Sequence, residues 1–194
     1  MLFIPKHSDT AIIVLHEIYG VNRHMQYICK LLSENDVDVY CPDLLERECF
    51  DYADESKAYL HFIENVGFEQ ASLKANRLLS DVREKYKKVY LIGFSVGATV
   101  AWLCGKEKLV DGIVGYYGSR IRNYMDISPQ CRALLFFPEE EKSFNVNELA
   151  AMLVKKPNVE VRQFSGQHGF SDPFSPKYNE QSAEKAFKKV LDFI

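Results

Sequence analysis

Residues 88–102 have the sequence KVYLIGFSVGATVAW, in which a serine stands between a short apolar run and a helix-compatible stretch. The run at 88–92 is rich in β-branched and aromatic residues and predicts a strand, whereas residues 96–105 predict a helix. Between them, GFSVG at 93–97 is a G-x-S-x-G motif centred on Ser95. Its two glycines permit a sharp turn where a Cβ atom would collide with the adjacent strand or helix. The motif therefore predicts a serine exposed at the carboxyl end of a strand.

Short apolar runs alternate with helical patterns along the rest of the chain as well. Strands are predicted at 11–15, 37–41, 88–92, 112–117, 133–137 and 159–164. Helices are predicted around 25–32, 55–65, 71–82, 96–105, 146–154 and 183–194. Parallel strands need crossover connections, which these helices supply, so the pattern predicts an α/β fold: a mostly parallel sheet of six to seven strands with helices on both faces. Residues 2–5 predict one further short strand, at a reduced N-terminal edge.

Length, charge and hydropathy exclude several classes of protein. The chain has 194 residues, which is the size of one domain, so we expect a single domain at residues 1–194. Lys and Arg number 24 against 27 Asp and Glu, and the formal charge of -3 gives no positive field for nucleic acid or an anionic membrane. No apolar run approaches the roughly 18 residues of a membrane span, and the N-terminus has no basic, apolar leader. We therefore expect a cytoplasmic protein.

Cysteine and histidine spacing indicates neither a disulfide framework nor a metal site. The five cysteines are odd in number and widely scattered, with no C-x-x-C pair and no histidine at ligand spacing. In apolar surroundings a cysteine usually packs as a small hydrophobic residue. We therefore expect no metal ion and no cofactor, and a small molecule as the ligand.

The serine motif implies two further residues. A serine hydroxyl is a weak nucleophile until a base removes its proton, so the motif predicts a histidine further along the chain and an acid between them. His168 is the only histidine after Ser95, and it follows the strand predicted at 159–164. The acid is expected after the strand at 133–137, where three consecutive glutamates stand: Glu139, Glu140 and Glu141. The residues leave the choice among these three open.

Each of these features also has an interpretation without chemistry. GFSVG can be a glycine-rich turn, a lone loop histidine is usually just exposed, and three glutamates can be a solvated charge run. Their common position after predicted strands favours the catalytic interpretation, because ligands bind α/β sheets at the carboxyl ends of the strands. The helix that begins after Ser95 would also offer the Val96 N–H to developing negative charge.

Five blocks in the same order resemble the dienelactone hydrolase family of the α/β-hydrolase fold. They are HEIYG at 16–20, CPDLL at 41–45, GFSVG at 93–97, GYYG at 115–118 and HGF at 168–170. The similarity extends from about residue 12 to the C-terminus. It implies that Ser95 is the nucleophile, Glu141 the triad acid and His168 the base. It also implies that the Ile18 N–H joins that of Val96 in an oxyanion hole.

Three departures from the family pattern concern the chemistry. The founding enzymes use a cysteine where this chain has Ser95, which resembles the serine esterases of the same fold. Their glutamate that matches Glu17 pairs with the resting thiol; beside a serine, Glu17 could instead order its loop or have its own pKa raised by burial next to the site. The family's arginine after the histidine, which binds a substrate carboxylate, is missing, and the stretch 169–172 reads GFSD instead. Arg120 or Arg122 could supply a replacement cation.

The chain is short for this family, with little room before residue 11 for the usual leading hairpin and no long insertion for a cap domain. We therefore expect an open pocket next to the triad. Its predicted lining comprises Glu17, Tyr19, Tyr117, Arg120 and Phe170.

These features together predict hydrolysis of a small carboxylic ester, lactone or thioester through a Ser-His-acid triad and an acyl-enzyme. The alternatives are a peptidase or an acyltransferase with the same triad, and a non-catalytic protein of this fold that binds a small molecule or a partner. The reduced sheet edge could also pair with a second copy of the chain to form a homodimer.

Overall fold

A seven-stranded sheet forms the centre of the structure, a computed structural model that describes residues 1–194. The strands are β1 Leu2–Ile4, β2 Thr10–Leu15, β3 Asp38–Cys41, β4 Lys88–Phe94, β5 Gly112–Tyr116, β6 Arg132–Glu140 and β7 Val159–Gln167. Their order across the sheet is β1-β3-β2-β4-β5-β6-β7. All neighbours are parallel except β1, which pairs antiparallel with β3. The three residues of β1 form the reduced N-terminal edge that the sequence predicts.

Helices cover both faces of the sheet. They are α1 Arg23–Ser33, α2 Glu55–His61, α3 Gly67–Arg83, α4 Val96–Cys104, α5 Val146–Leu153 and α6 Glu180–Phe193. A π-helical turn, Phe62–Val66, joins α2 to α3. Helices α3, α4 and α5 pack against one face, and α1 and α6 against the other. Alternation along the strands divides the core accordingly: in β2, Ile13 belongs to the first cluster and Ile12 and Val14 to the second.

The predicted α/β-hydrolase fold is confirmed, and strand bounds agree within two residues except at β6 and β7. Both of these strands continue three residues further, so that Glu139 and Glu140 lie in β6 instead of a loop. The pairing of β6 with β7 is irregular between Pro138 and Glu140. A proline, which has no N–H to donate, followed by charged residues has the composition of a loop, and the strand persists because β7 supplies a pairing partner.

No helix of the chain combines the length and the apolar character needed to cross a bilayer.

The contact between α4 and the sheet is the closest backbone packing around the serine turn. A Cβ atom on Gly97 would lie 2.1 Å from the carbonyl oxygen of Leu15, and one on Gly93 would lie 2.2 Å from that of Gly97. Backbone atoms at these separations cannot yield as a flexible side chain can. Glycine is therefore required at both positions for α4 to begin directly after β4.

We expect Gly97→Ala to lower the free energy of unfolding by roughly 3 kcal/mol, the upper part of the usual range for overpacking. Helix propensity alone predicts the opposite sign, because Ala in a helix interior is better than Gly by about 1 kcal/mol. Urea unfolding of both proteins measures the difference. Gly105→Ala is the matched control, since its nearest contact, 3.0 Å away, is the side-chain tip of Ile113. Unfolding of Gly97→Ala at the wild-type urea concentration would contradict the packing argument.

Candidate active site

Three polar side chains at the carboxyl ends of strands form a hydrogen-bonded chain. Ser95 follows β4, Glu141 follows β6 and His168 follows β7. The Ser95 Oγ lies 2.9 Å from the Nε2 of His168. The Nδ1 of the same ring lies 2.9 Å from the Oε2 of Glu141. With Nδ1 donating to the carboxylate, Nε2 is free to accept the serine proton.

Ser95 occupies a strained turn between β4 and α4. Its φ of 52° lies in the left-handed region, which is uncommon for a residue with a side chain. The backbone is held there by the glycine contacts on either side and by the Ser95 N–H, which donates to the carbonyl of Tyr116. His168 is the single side-chain hydrogen-bond partner of the Ser95 Oγ. The turn thus presents the hydroxyl to the imidazole.

The structure distinguishes the three candidate glutamates by their partners. Glu139 accepts from the Ser165 hydroxyl and Glu140 from the Gln167 amide, and both bonds lie on the exposed strand pair. Only Glu141 contacts His168, and 9% of its side chain is exposed.

The pKa of Glu141 is set by opposing effects. Burial alone raises the pKa of its carboxyl. The hydrogen bond and charge of His168, with hydrogen bonds from Ser143, outweigh burial and lower the pKa from 4.5 to about 2. Glu141 is therefore ionised near neutral pH, and its carboxylate can accept the hydrogen bond that orients the imidazole.

Val96 and Ile18 are the two residues expected to offer backbone N–H groups to a substrate bound at Ser95. Val96 is the first residue of α4, so its N–H has no acceptor one turn back in the helix. Ile18 belongs to the loop after β2, and both residues line the same cavity as Ser95. His16 holds this loop: its Nδ1 lies 2.6 Å from the Glu17 carbonyl and its Nε2 accepts from the Leu44 N–H at 2.8 Å. Burial lowers the pKa of His16, consistent with a neutral ring in that role.

A cavity of about 490 Å³ opens onto the hydrogen-bonded chain. Of the predicted pocket residues, Glu17, Tyr19 and Arg120 line it. The segment after β3 also forms a wall, through residues that the sequence did not single out: Tyr52, Glu55 and Tyr59.

Two predicted pocket residues lie elsewhere. Tyr117 and Phe170 are fully buried and absent from the cavity wall, with ring centroids 5.5 Å apart. They belong to the core cluster on the α1 and α6 side of the sheet. Their aromatic character reflects packing, and the prediction that they line the pocket is wrong.

A buried polar cluster lies behind the cavity. The Tyr117 hydroxyl donates to the Oε1 of Glu17 at 3.0 Å and lies 2.9 Å from the Ser171 Oγ. The Tyr52 hydroxyl donates to the Oδ2 of Asp172 at 2.5 Å. Glu17 and Asp172 are 5% and 2% exposed. Glu17 therefore makes its hydrogen bond with a tyrosine of the core and not with Ser95.

The pKa values of the two buried carboxyls in this cluster shift in opposite directions. Burial raises the pKa of Glu17 by itself, but His24 and the Tyr117 hydroxyl outweigh it and lower the pKa. Burial raises the pKa of Asp172, and the charge of Glu17 adds to the rise, against the lowering effect of His24 and Tyr52. His24, Tyr52 and the inward position of Asp172 were missed by sequence reasoning, since no local pattern connects them. His16 stands in the HEIYG block, so the sequence does carry a signal for the residue that orders this loop.

A mostly parallel sheet of this order, with serine, glutamate and histidine after β4, β6 and β7 at its carboxyl edge, is the arrangement of an α/β-hydrolase fold. A Klebsiella pneumoniae protein of known crystal structure superposes with a TM-score of 0.79 at 19% identity, over 94% of this chain and 85% of its own. Est1E from Butyrivibrio proteoclasticus superposes with a TM-score of 0.65 at 10% identity, over 97% and 89%. These likenesses support the fold.

The chain belongs to the dienelactone hydrolase family, whose model matches residues 1–194. The uncharacterized protein YczH of Bacillus subtilis strain 168 is 39% identical over 190 residues, which span 94% of this chain and 89% of the relative. The carboxymethylenebutenolidase of Pseudomonas putida is 26% identical over 204 residues, with 95% and 84% covered. Family membership implies a hydrolase that acts on ester or lactone bonds.

We expect Glu141→Gln to lower the free energy of unfolding at pH 7 by about 2 kcal/mol, the usual contribution of a charge-assisted hydrogen bond. Because the folded pKa lies below the unfolded one, this contribution is present above pH 4.5 and is lost as the pH falls towards about 2. Urea unfolding at several pH values should show the difference from wild type shrinking over that interval. Glu139→Gln serves as control, and a pH-independent difference for Glu141→Gln would contradict the assignment.

Proposed function

We propose that the protein is a serine hydrolase that cleaves a small carboxylic ester, lactone or thioester through an acyl-enzyme. The observation that carries the proposal is the continuous chain from the Ser95 Oγ through the His168 ring to the Glu141 carboxylate, with 2.9 Å at each contact. It opens into a cavity large enough for a small ester. The separation of nucleophile, base and orienting acid is that required for acyl transfer.

In the first half-reaction the Ser95 Oγ attacks the carbonyl carbon while the Nε2 of His168 takes the hydroxyl proton. The carbonyl oxygen becomes an oxyanion, and the N–H groups of Ile18 and Val96 donate to it. Glu141 stabilises the imidazolium that has formed. Collapse of the tetrahedral intermediate breaks the bond to the leaving group, which takes the proton from Nε2, and an ester of Ser95 remains.

The second half-reaction repeats these steps with water. His168 accepts a proton from a water molecule, whose oxygen attacks the acyl-enzyme carbonyl. The same two N–H groups bind the oxyanion. When the bond to Ser95 breaks, the proton on Nε2 returns to the serine oxygen and the carboxylic acid is released.

Two arginines on one wall of the cavity offer a binding partner to an anionic group of the substrate. Arg120 and Arg122 line the wall beyond β5 and form no ion pair with a carboxylate. Their guanidinium groups contact the Tyr59 hydroxyl and the Ser119 carbonyl. The Asp172 carboxyl borders the cavity but is only 2% exposed, and it accepts a hydrogen bond from the Tyr52 hydroxyl. We infer that the arginines take the place of the family's missing cation.

Ser95→Ala is expected to reduce kcat/KM for a short p-nitrophenyl ester by at least about 10³-fold, since no other group can form the acyl-enzyme. The circular dichroism spectrum should be unchanged, because the alanine replaces one hydroxyl that faces the cavity. A fluorophosphonate probe should label the wild type and not the variant. Turnover equal to wild type would exclude Ser95 as the nucleophile, and an unlabelled, inactive wild type would favour a non-catalytic binding protein.

Among the three glutamates, only Glu141→Gln should lose most of its activity. Without a carboxylate, the His168 Nδ1 loses the acceptor that fixes its tautomer and stabilises its positive charge, so we expect kcat to fall by roughly 10²-fold or more. Glu139→Gln alters a hydrogen bond on the exposed strand pair and should retain the wild-type rate. Steady-state kinetics of both variants on the same ester provide the comparison. Equal rates in Glu141→Gln and wild type would show that Glu141 does not orient the base.

A further inference from the structure

His24 is a buried side chain whose hydrogen-bonding capacity is unused. It is fully buried on α1, and neither ring nitrogen has a hydrogen-bond partner. The ring packs against Phe94 in an edge-to-face arrangement, with centroids 5.1 Å apart. A buried polar group without a partner costs about 1 to 3 kcal/mol, so such groups occur where another role requires them.

Two carboxylates lie next to this histidine. The Nδ1 of His24 is 3.7 Å from the Oε1 of Glu17 and 3.8 Å from the Oδ2 of Asp172. Both separations are too long for hydrogen bonds. The donors that do reach the carboxylates are neutral: the tyrosine hydroxyls of Tyr117 and Tyr52 and the backbone N–H of Phe174.

The spacing of the three side chains suits a shared ion. Their ligand atoms all lie within 4.8 Å of one another. Three atoms no more than 4.8 Å apart share a point at most about 2.8 Å from each, roughly 0.6 to 0.8 Å beyond the roughly 2.0 to 2.2 Å that zinc makes to nitrogen and carboxylate oxygen. Small side-chain shifts would close that gap. The same ion would neutralise two carboxylates that burial otherwise leaves with neutral donors alone.

We propose that Glu17, His24 and Asp172 form a binding site for one divalent transition-metal ion. One imidazole nitrogen and two carboxylate oxygens are a donor set that suits manganese, iron or zinc. The hydrogen bonds from Tyr117 and Tyr52 orient the two carboxylates as outer-shell partners. Because Glu17 and Asp172 line the catalytic cavity, an ion can reach the site from solvent, and an oxygen ligand from water or substrate can complete its coordination.

Mn²⁺ is the probe that best tests the site, because the exposed Cys49 thiol competes for zinc and not for a hard cation. The full chain is first treated with a chelator and then titrated with Mn²⁺ at pH 7.5, while electron paramagnetic resonance follows the signal of the free ion. We expect about one bound ion per chain in the wild type. Ser95→Ala should bind equally well, so the result is independent of the proposed esterase chemistry.

Variants assign the ion to the three ligands. Glu17→Gln and His24→Asn should each weaken Mn²⁺ binding by at least roughly tenfold. His7→Asn, a change at an exposed histidine, should bind as the wild type does. If His24→Asn fails to fold by circular dichroism, Glu17→Gln and Asp172→Asn carry the test, because both keep the size of the side chain.

Two results would overturn the proposal. One is the absence of Mn²⁺ binding by the wild type up to about 1 mM. The other is binding that Glu17→Gln and Asp172→Asn leave unchanged, which would place the ion elsewhere on the surface.

Discussion

The contact of Gly97 with the end of β2 is the constraint on which the catalytic edge of the sheet depends. With a separation that admits no Cβ atom, α4 begins immediately after β4 and forces Ser95 into its left-handed turn. The same contact places the first N–H of α4 next to the loop after β2, which carries Ile18. The proposed nucleophile and the two proposed oxyanion donors are therefore positioned by one approach of backbone to backbone, and a side chain at Gly97 would disturb all of them together.

Local patterns predict most of this fold because buried strands and amphipathic helices have distinct periods. The exception is instructive. Glu139 and Glu140 extend β6 past its apolar run, where composition indicates a loop, and the strand continues because β7 pairs with it. Pairing of an edge with its neighbour is a tertiary property, so residues 138–140 carry no local signal for it. The same extension determines which glutamate reaches His168, and the sequence left that choice open for this reason.

The residues of the site likewise fall into those that local sequence predicts and those that only the tertiary structure brings together. Ser95 and His168 follow from a motif and from chain order, since both are tied to strand ends that the sequence predicts. The cluster of Glu17, His24 and Asp172 joins a loop, a helix and a second loop whose positions depend on the complete sheet. Ligand spacing along the chain, the usual sign of a metal site, is absent when the ligands come from three separate elements. Tyr117 and Phe170 were predicted to line the pocket but lie in the core. Nothing in the local sequence distinguishes an aromatic residue that packs in the core from one that contacts substrate.

The position of Glu17 is set by the buried cluster and not by a contact with Ser95. A thiol with a pKa near 8.5 can ionise at rest, so a carboxylate beside it has a proton to control, whereas a serine hydroxyl stays neutral until the base acts on it. In this chain the hydroxyl is bonded to His168 alone, and the Glu17 carboxylate is bonded to the buried Tyr117. A buried carboxylate that makes no bond to Ser95 is costly unless other groups balance it. The Tyr117 hydroxyl donates to the Glu17 carboxylate and the His24 ring lies 3.7 Å from it, so the buried cluster supplies the contacts that Ser95 does not.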